Sequence, residues 1–327
     1  MKTKKVISTV LVLVLAFACM TAFSACDAGT ADADKVYKIG ICQLVTHDAL
    51  DAATEGFKQA LIDELGADKV EFDYQNAANS NDTCVTIVNN FVSKNVDLIL
   101  ANATGALQAA VNATETIPIL GTSITEYGVA LEIDDFNGTV GGNVSGTSDL
   151  APLTEQAQMI LDLFPQTEKV GLLSCSAEPN SAYQVAEVKA YLEAKGIVCT
   201  EYTFVDSNDV SLVAEKAATD SDVIYIPTDN TAASCAETIN NIVLPKKVPI
   251  IAGEAGICEG CGVATLSISY YELGYTTGKM AVQILKDEAD IATMPIAYDP
   301  NPVKKYNKEI CEELQVEIPA DYVALGE

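Results

Sequence analysis

Short apolar runs alternate with longer amphipathic runs along almost the whole of this chain. In the first half, the apolar runs predict four strands, at Tyr37–Leu44, Val70–Tyr74, Val96–Ala101 and Ile117–Gly121. Segments with helical spacing lie between them, at Ala49–Leu65, Asn81–Lys94 and Gly105–Thr114. Strands that alternate with helices in this way are typical of a parallel sheet with helices on both faces.

The same alternation restarts after a Gly-rich crossover at 137–146. Four more strands are predicted at Lys169–Ser174, Val198–Phe204, Asp222–Pro227 and Val248–Gly253. The helices around them are predicted at Leu153–Phe164, Ser181–Lys195, Ser211–Thr219 and Thr231–Ile242. The sequence therefore predicts an α/β protein with two doubly wound parallel-sheet domains, whose strands point their carboxyl ends at one ligand-binding cleft.

The last part of the chain adds a strand at Ala264–Ser269, a helix at Tyr271–Lys286, a strand at Met294–Tyr298 and a helix at Val303–Leu314. We infer that the Tyr271 helix returns to the first domain and that the final helix belongs to the second. Three crossings, near 145–150, 267–270 and 294–299, then form the hinge. The predicted N-terminal lobe is 36–147 plus 271–294, and the C-terminal lobe is 148–270 plus 295–327.

The first 26 residues have the order of a secretory signal peptide. Lys2, Lys4 and Lys5 precede an apolar run, which ends in small residues and Cys26. A cysteine at the first mature position is what a bacterial lipoprotein offers for lipidation, so we predict lipid on Cys26, a flexible tether at 27–35 and a place on the extracytoplasmic face of the cell membrane. An uncleaved anchor and a free Cys26 are the alternatives.

The charge of the chain limits its partners. It has 46 acidic and 19 basic residues, and every basic residue is Lys. Nucleic acid needs a basic footprint, so no nucleic-acid partner is expected. Because there is no Arg, a ligand carboxylate must be held by hydroxyls, backbone N–H groups, helix N-termini or Lys.

Catalytic and metal-binding patterns find no support in the sequence. There is one histidine, His47, and neither a Gly-x-Ser-x-Gly nor a phosphate-binding loop motif accompanies it. Cys258 and Cys261 form a close pair in a turn-like stretch, which leaves a local disulfide, two free thiols, or metal or redox chemistry open. We predict no enzyme, no cofactor and no metal.

Polar residues follow the predicted strands, where hydroxyls and helix N-termini suit an anion and carboxylates suit an ammonium group. Together they describe a site for a zwitterion such as an amino acid. Helix capping is the alternative for each of them. Among these polar residues are Gln43, Thr104, Asn180, Ser181, Asp229 and Glu254.

In combination, several short motifs resemble the TrpX-type ABC transporter substrate-binding proteins. They are Gly40–Gln43 with His47–Asp51, Asp73–Ala77, Gly141–Gly146 with Ser148 and Asp149, Ile226–Thr231, and Tyr270–Gly274 with Thr277 and Gly278. The resemblance covers about 37–320 and implies a type I periplasmic-binding-protein fold. It further implies delivery of a small solute, in some members tryptophan or another aromatic amino acid, to a permease and an ATPase.

The resemblance also implies the candidate ligand contacts, which are Gln43, Thr104, Asn180, Ser181, Asp229 and Glu254. Thr104 and Ser181 would hold the carboxylate of the ligand, and Asp229 its ammonium group. Asp48 and the Cys258–Cys261 pair depart from the expected pattern. Two other functions stay open: the same fold binding a sugar or nucleoside, and a surface protein that senses its ligand.

Overall fold

Two mostly parallel sheets organise the chain in this computed structural model, which describes residues 35–299 and 301–326. Six described strands form the first sheet, in the order β11-β5-β4-β3-β1-β2, and every pair in it is parallel. They are β1 Tyr37–Gln43, β2 Val70–Asn76, β3 Leu98–Asn102, β4 Ile119–Ile124, β5 Val144–Ser148 and β11 Ala297–Tyr298.

Seven described strands form the second sheet, in the order β13-β12-β10-β9-β8-β6-β7. Only the pair β10–β12 is antiparallel in this sheet. Its strands are β6 Lys169–Cys175, β7 Val198–Phe204, β8 Val223–Ile226, β9 Ile250–Ala252, β10 Ala264–Ser267, β12 Val303–Tyr306 and β13 Val323–Ala324. The two sheets confirm the predicted α/β class and its type I periplasmic-binding-protein architecture.

Helices connect the strands of both sheets. Those before the crossover are α1 Asp48–Leu65, α2 Asn81–Lys94, α3 Thr104–Ala113 and α4 Tyr127–Ala130. Those of the second half are α5 Leu153–Leu163, α6 Pro179–Ala194, α7 Val210–Asp220, α8 Asn230–Ser234, α9 Ala236–Val243, α10 Ala255–Cys261, α11 Tyr270–Leu285 and α12 Lys308–Leu314. Short 3₁₀ turns lie at Leu244–Lys246 and Ile291–Thr293.

Local signals explain where the helices begin and end. In α1, the apolar side chains Leu50, Phe57 and Leu61 share one face and are buried in the core. Helix α2 begins after Ser80, whose hydroxyl accepts from the Thr83 N–H, and ends at Asn95 in the left-handed conformation. The signals for these two helices therefore lie within their own segments of sequence.

The chain passes between the sheets three times, as the predicted hinge requires. The crossings follow β5, β10 and β11. After the second crossing, α11 packs on α1, since Gly274 lies against the Ala53 backbone. The predicted residue boundaries of the lobes stay a prediction, but Ala297–Tyr298 was expected in the C-terminal lobe and instead pairs with Thr147 and Ser148 of the first sheet.

Three local predictions were wrong. The expected helix at Val303–Leu314 is a strand followed by a helix, because Val303–Tyr306 pairs antiparallel with β10 and Asn307 caps α12. The expected helix at Thr231–Ile242 is broken at Cys235. The stretch with Cys258 and Cys261 is not a turn but helix α10, and both thiols are buried and free.

The leader and its lipidation site lie outside the described residues. The predicted segments that lie outside are the signal peptide, Cys26 and the tether up to residue 34. Among the helices that the structure describes, none is both long and apolar enough to span a bilayer.

Candidate functional site

Residues that follow strands of both sheets surround a small buried space, which we call the inner cavity. Its volume is about 10 Å³, room for no more than one water molecule. It is lined by residues from both sheets' sides of the cleft and by residues of the crossings. They are His47, Leu50, Ser123, Thr125, Asp149, Asn180, Thr228, Asp229, Asn230, Ala233, Glu254 and Tyr270.

A second space, the outer cavity, lies beside the first and shares Asn180 and Asn230 with it. Its volume is about 90 Å³. It is lined by Leu44, Asn79, Asn81, Thr104, Gly105, Gln108, Cys175, Ala177, Glu178, Pro179, Asn180, Val205, Asp206, Asn230 and Thr231. The two cavities together mark the cleft between the carboxyl ends of the sheets, where ligands bind in folds of this kind.

Hydrogen bonds cross the cleft directly. The Asn79 amide nitrogen donates to the Thr231 hydroxyl at 3.0 Å, and His47 Nε2 lies 3.3 Å from Asn230 Oδ1. The Asn230 amide nitrogen donates to Glu178, so its oxygen faces His47 and the Nε2 atom carries the proton. Burial lowers the pKa of His47, which keeps the ring neutral and leaves Nδ1 as an acceptor.

Glu178 organises the second sheet's side of the cleft. Its carboxylate accepts from the backbone N–H and side chain of Asn230 and from the backbone N–H and hydroxyl of Thr231, at 2.7–2.9 Å. Asn180 Nδ2 also donates to it, at 3.3 Å. The side chains that reach across to the first sheet are therefore positioned by one buried carboxylate.

Asp229 and Glu254 are helix caps as well as cavity residues. Asp229 accepts from the N–H groups of Ala232 and Cys175, and Glu254 from those of Gly256 and Ile257. Burial raises the pKa of Asp229 to about 8 and that of Glu254 to about 7, and these N–H groups oppose the rise. No Lys is among the lining residues of the inner cavity, so its carboxyl groups have no protein cation beside them.

Unpartnered polar atoms converge on the inner cavity. Among the described residues, six buried side-chain nitrogen or oxygen atoms lack a hydrogen-bond partner, and four belong to residues that line this space. The four are His47 Nδ1, Ser123 Oγ, Asp149 Oδ1 and Asn180 Oδ1. Since buried polar groups are normally satisfied, this concentration indicates a place built for a small polar ligand.

The structure brings together only part of the predicted site. Asn180, Asp229 and Glu254 line the inner cavity, and Thr104 lines the outer one. Gln43 and Ser181 are buried and line neither cavity. The roles of all six as ligand contacts stay predictions.

Gln43 and Ser181 have partners within the protein. The Gln43 amide donates to the Val45 carbonyl at 2.8 Å and accepts from the Thr54 hydroxyl at 2.6 Å, which fixes the turn after β1. The Ser181 hydroxyl accepts from Asn180 Nδ2 at 3.4 Å and lies beside Asp229. Both residues lie at strand-to-helix junctions, as predicted, and their roles as ligand contacts stay predictions.

Nine of the twelve residues that line the inner cavity were not among the candidates, and Ser123, Asp149 and Tyr270 are three of them. Asp149 directly follows the Gly-rich crossover and β5, which is a signal of the same kind that selected Asp229. Ser123 lies inside a buried strand with φ at +56°, a backbone conformation that the sequence does not announce. Tyr270 belongs to the motifs of the resemblance and to the predicted crossing at 267–270, but not to the predicted site.

Comparison with known proteins gives consistent results. A family model described as ABC transporter substrate binding protein matches residues 38–325. A tyrosine-binding protein of Clostridioides difficile is 34% identical over 307 residues, covering 90% of this chain and 88% of the relative.

Two solved structures extend the comparison. An ABC domain from Streptococcus pneumonia in complex with L-Trp has a TM-score of 0.83 and 32% identity, covering 88% of this chain and 97% of that one. The ligand-free, open structure of a substrate binding protein with adhesive properties from Clostridium difficile has a TM-score of 0.67 and 36% identity, covering 88% and 99%. The matching family binds solutes and is not a family of enzymes, which confirms that prediction. This chain belongs to the ABC transporter substrate-binding proteins.

Proposed function

We propose that this protein is the lipid-anchored receptor of an ABC importer and that it binds an aromatic amino acid between its two sheets. The inner cavity carries the proposal. It combines unpartnered acceptors with three buried carboxyl groups, those of Asp149, Asp229 and Glu254, and has no lysine among its lining residues. A zwitterion brings the missing cation, whereas a sugar or nucleoside does not.

The names of the relatives support the ligand class. One relative is a tyrosine-binding protein and another is in complex with L-Trp, at 34% and 32% identity. Both ligands carry an α-ammonium group, a carboxylate and a large ring. The proposed ligand of this chain is therefore tyrosine, tryptophan or phenylalanine.

Binding requires the lobes to move apart, because a space of about 10 Å³ cannot admit an amino acid. The TM-score to the tryptophan complex, 0.83, exceeds the TM-score of 0.67 to the ligand-free, open relative, although the latter is more similar in sequence. The three crossings supply the hinge for opening and closing. Closure around the ligand would present one defined surface to the permease.

Calorimetry against the twenty amino acids, with glucose and adenosine as controls, tests the ligand class. We expect tyrosine, tryptophan or phenylalanine to bind and the controls to give no heat. The chain contains no Trp, so the fluorescence of added tryptophan reports its binding without protein background. If none of the twenty bound, the proposed ligand class would be wrong.

The importer role has a separate test. Uptake of labelled tyrosine should fall in cells that lack the protein if it serves an importer.

The lipid anchor has its own test, Cys26→Ser. We expect this variant to move from the membrane fraction to the medium or the soluble fraction, because the diacylglyceryl group that holds the chain can no longer be attached. Cys19→Ser is the matched control, since Cys19 lies inside the apolar run and its loss should leave the distribution unchanged. A Cys26→Ser protein that stayed in the membrane fraction would contradict lipidation at this position.

A further inference from the structure

Only one of the three carboxyl groups at the inner cavity has an unused oxygen. Both oxygens of Asp229 and both of Glu254 accept backbone N–H groups. In Asp149, Oδ2 accepts from the Tyr270 hydroxyl at 2.9 Å, while Oδ1 has no partner. Asp149 is only 4% exposed and lines the inner cavity, so its side chain is shielded from bulk solvent.

Two further acceptor atoms have no hydrogen-bond partner, and both belong to residues that line the same cavity. His47 Nδ1 is one, because its Nε2 carries the proton toward Asn230. Asn180 Oδ1 is the other, because the amide nitrogen of Asn180 donates to the Thr228 carbonyl at 3.0 Å and so fixes the orientation of the group. Three acceptors without donors match the three N–H donors of an ammonium group.

We propose that Asp149 Oδ1 binds the α-ammonium group of the ligand, with His47 Nδ1 and Asn180 Oδ1 as its other acceptors. This inference rests on the proposed function, since it assumes an amino-acid ligand. It gives the ammonium group to Asp149 rather than to Asp229, whose oxygens are already occupied as a helix cap.

The charges around Asp149 agree with this assignment. Burial raises the pKa of Asp149, and the hydrogen bond from the Tyr270 hydroxyl to Oδ2 opposes the rise only in part. No lysine lines the cavity, so no side-chain cation offsets this burial. An ammonium group at Oδ1 stabilises the ionised form of the Asp149 carboxylate.

The ammonium site then belongs to the hinge rather than to either lobe. Asp149 follows β5 in the first crossing, and its backbone N–H donates to the Ile124 carbonyl at 3.1 Å. Tyr270 begins α11 after the second crossing. Because both residues lie where the chain passes between the sheets, we expect their hydrogen bond to persist when the lobes open, so that the ligand meets a preformed anchor.

Calorimetry with L-tyrosine on Asp149→Asn tests the assignment. The variant keeps the shape of the side chain but removes its charge, and we expect its affinity for tyrosine to fall about 30-fold or more. The second ligand is hydroxyphenylpropanoate, the analogue of tyrosine without the amino group. It should bind the original protein weakly and lose little further affinity in the variant, because the interaction at Asp149 is absent in both.

Asp134→Asn, which removes an exposed carboxylate away from the cavity, is the matched control and should bind tyrosine as the original protein does. An Asp149→Asn protein that binds tyrosine normally, or that loses tyrosine and the analogue by the same factor, would overturn the assignment while the proposed function stands. An original protein that binds no amino acid at all would overturn both.

A structure of the unaltered protein with tyrosine bound gives a second test that does not depend on the folding of a variant. The ligand nitrogen should lie about 3 Å from Asp149 Oδ1. A ligand nitrogen bound to Asp229 or Glu254, with Asp149 out of reach, would refute the proposal.

Discussion

Glu178→Ala is expected to lower the free energy of unfolding by about 3 kcal/mol or more and to abolish ligand binding. The carboxylate of Glu178 accepts from two backbone N–H groups at the start of α8 and from the side chains of Asn230 and Thr231. Removing it leaves these donors buried without an acceptor. It also releases Asn230, which fixes His47 across the cleft.

Urea unfolding and calorimetry with tyrosine measure the two effects. Glu187→Ala is the matched control, because Glu187 lies on the exposed side of α6, the helix that follows Glu178, and its loss should change the stability by less than about 0.5 kcal/mol. Glu178→Gln keeps the size of the side chain but turns one acceptor into a donor, so we expect it to lose binding as well. If the Glu178→Ala variant had the same urea stability and the same tyrosine affinity as the original protein, Glu178 would not organise the cleft.

The parts of the fold that were predicted correctly have local causes. Helix α2 was predicted at Asn81–Lys94 and has those bounds, because its cap, its C-terminal Asn95 and its apolar spacing all lie within the segment. Strand β7 was likewise predicted at Val198–Phe204. Alternation of such segments is enough to indicate two doubly wound sheets.

One error came from a contact between distant parts of the chain, and another from glycines that interrupt a helical pattern. Val303–Tyr306 was read as the start of a helix, but its backbone pairs with β10, which no local signal announces. Helix α10 was missed because Gly256 and Gly260 are poor helix formers. The structure overcomes this in two ways: Glu254 caps the helix, and Gly260 lets it approach Ala236 closely.

The site shows the same division between local and distant causes. Asn180, Asp229 and Glu254 follow strands and could be found as polar residues at helix starts. Which of their oxygens are already occupied depends on how each helix begins, and the sequence does not reveal it. Asp149, which has an oxygen without a partner, is therefore not among the candidates, whereas the ammonium role of Asp229 stays a prediction although both of its oxygens accept backbone N–H groups.

Gly274→Ala is expected to destabilise the protein by about 2 kcal/mol or more and to weaken tyrosine binding. On an exposed helix, this change would stabilise by about 1 kcal/mol through helix propensity. Here a methyl group at Gly274 would overlap the backbone oxygen of Ala53 in α1, which cannot rotate away as a side chain would. Helix α11 must then shift, and Tyr270 at its start, which holds Asp149, shifts with it.

Thermal unfolding and calorimetry on Gly274→Ala should thus show both losses together. Gly56→Ala provides a repeat from the other helix, since its new methyl group would overlap the Tyr271 backbone oxygen of α11. Glu55→Ala is the control, an exposed neighbour in α1 whose change should leave stability and binding almost unaltered. A Gly274→Ala protein that was more stable than the original would mean that the two helices are not held in close contact by their glycines. If stability fell but tyrosine affinity did not change, the position of α11 on α1 would not affect ligand binding. Tyr270 would then hold Asp149 whatever the exact position of its helix.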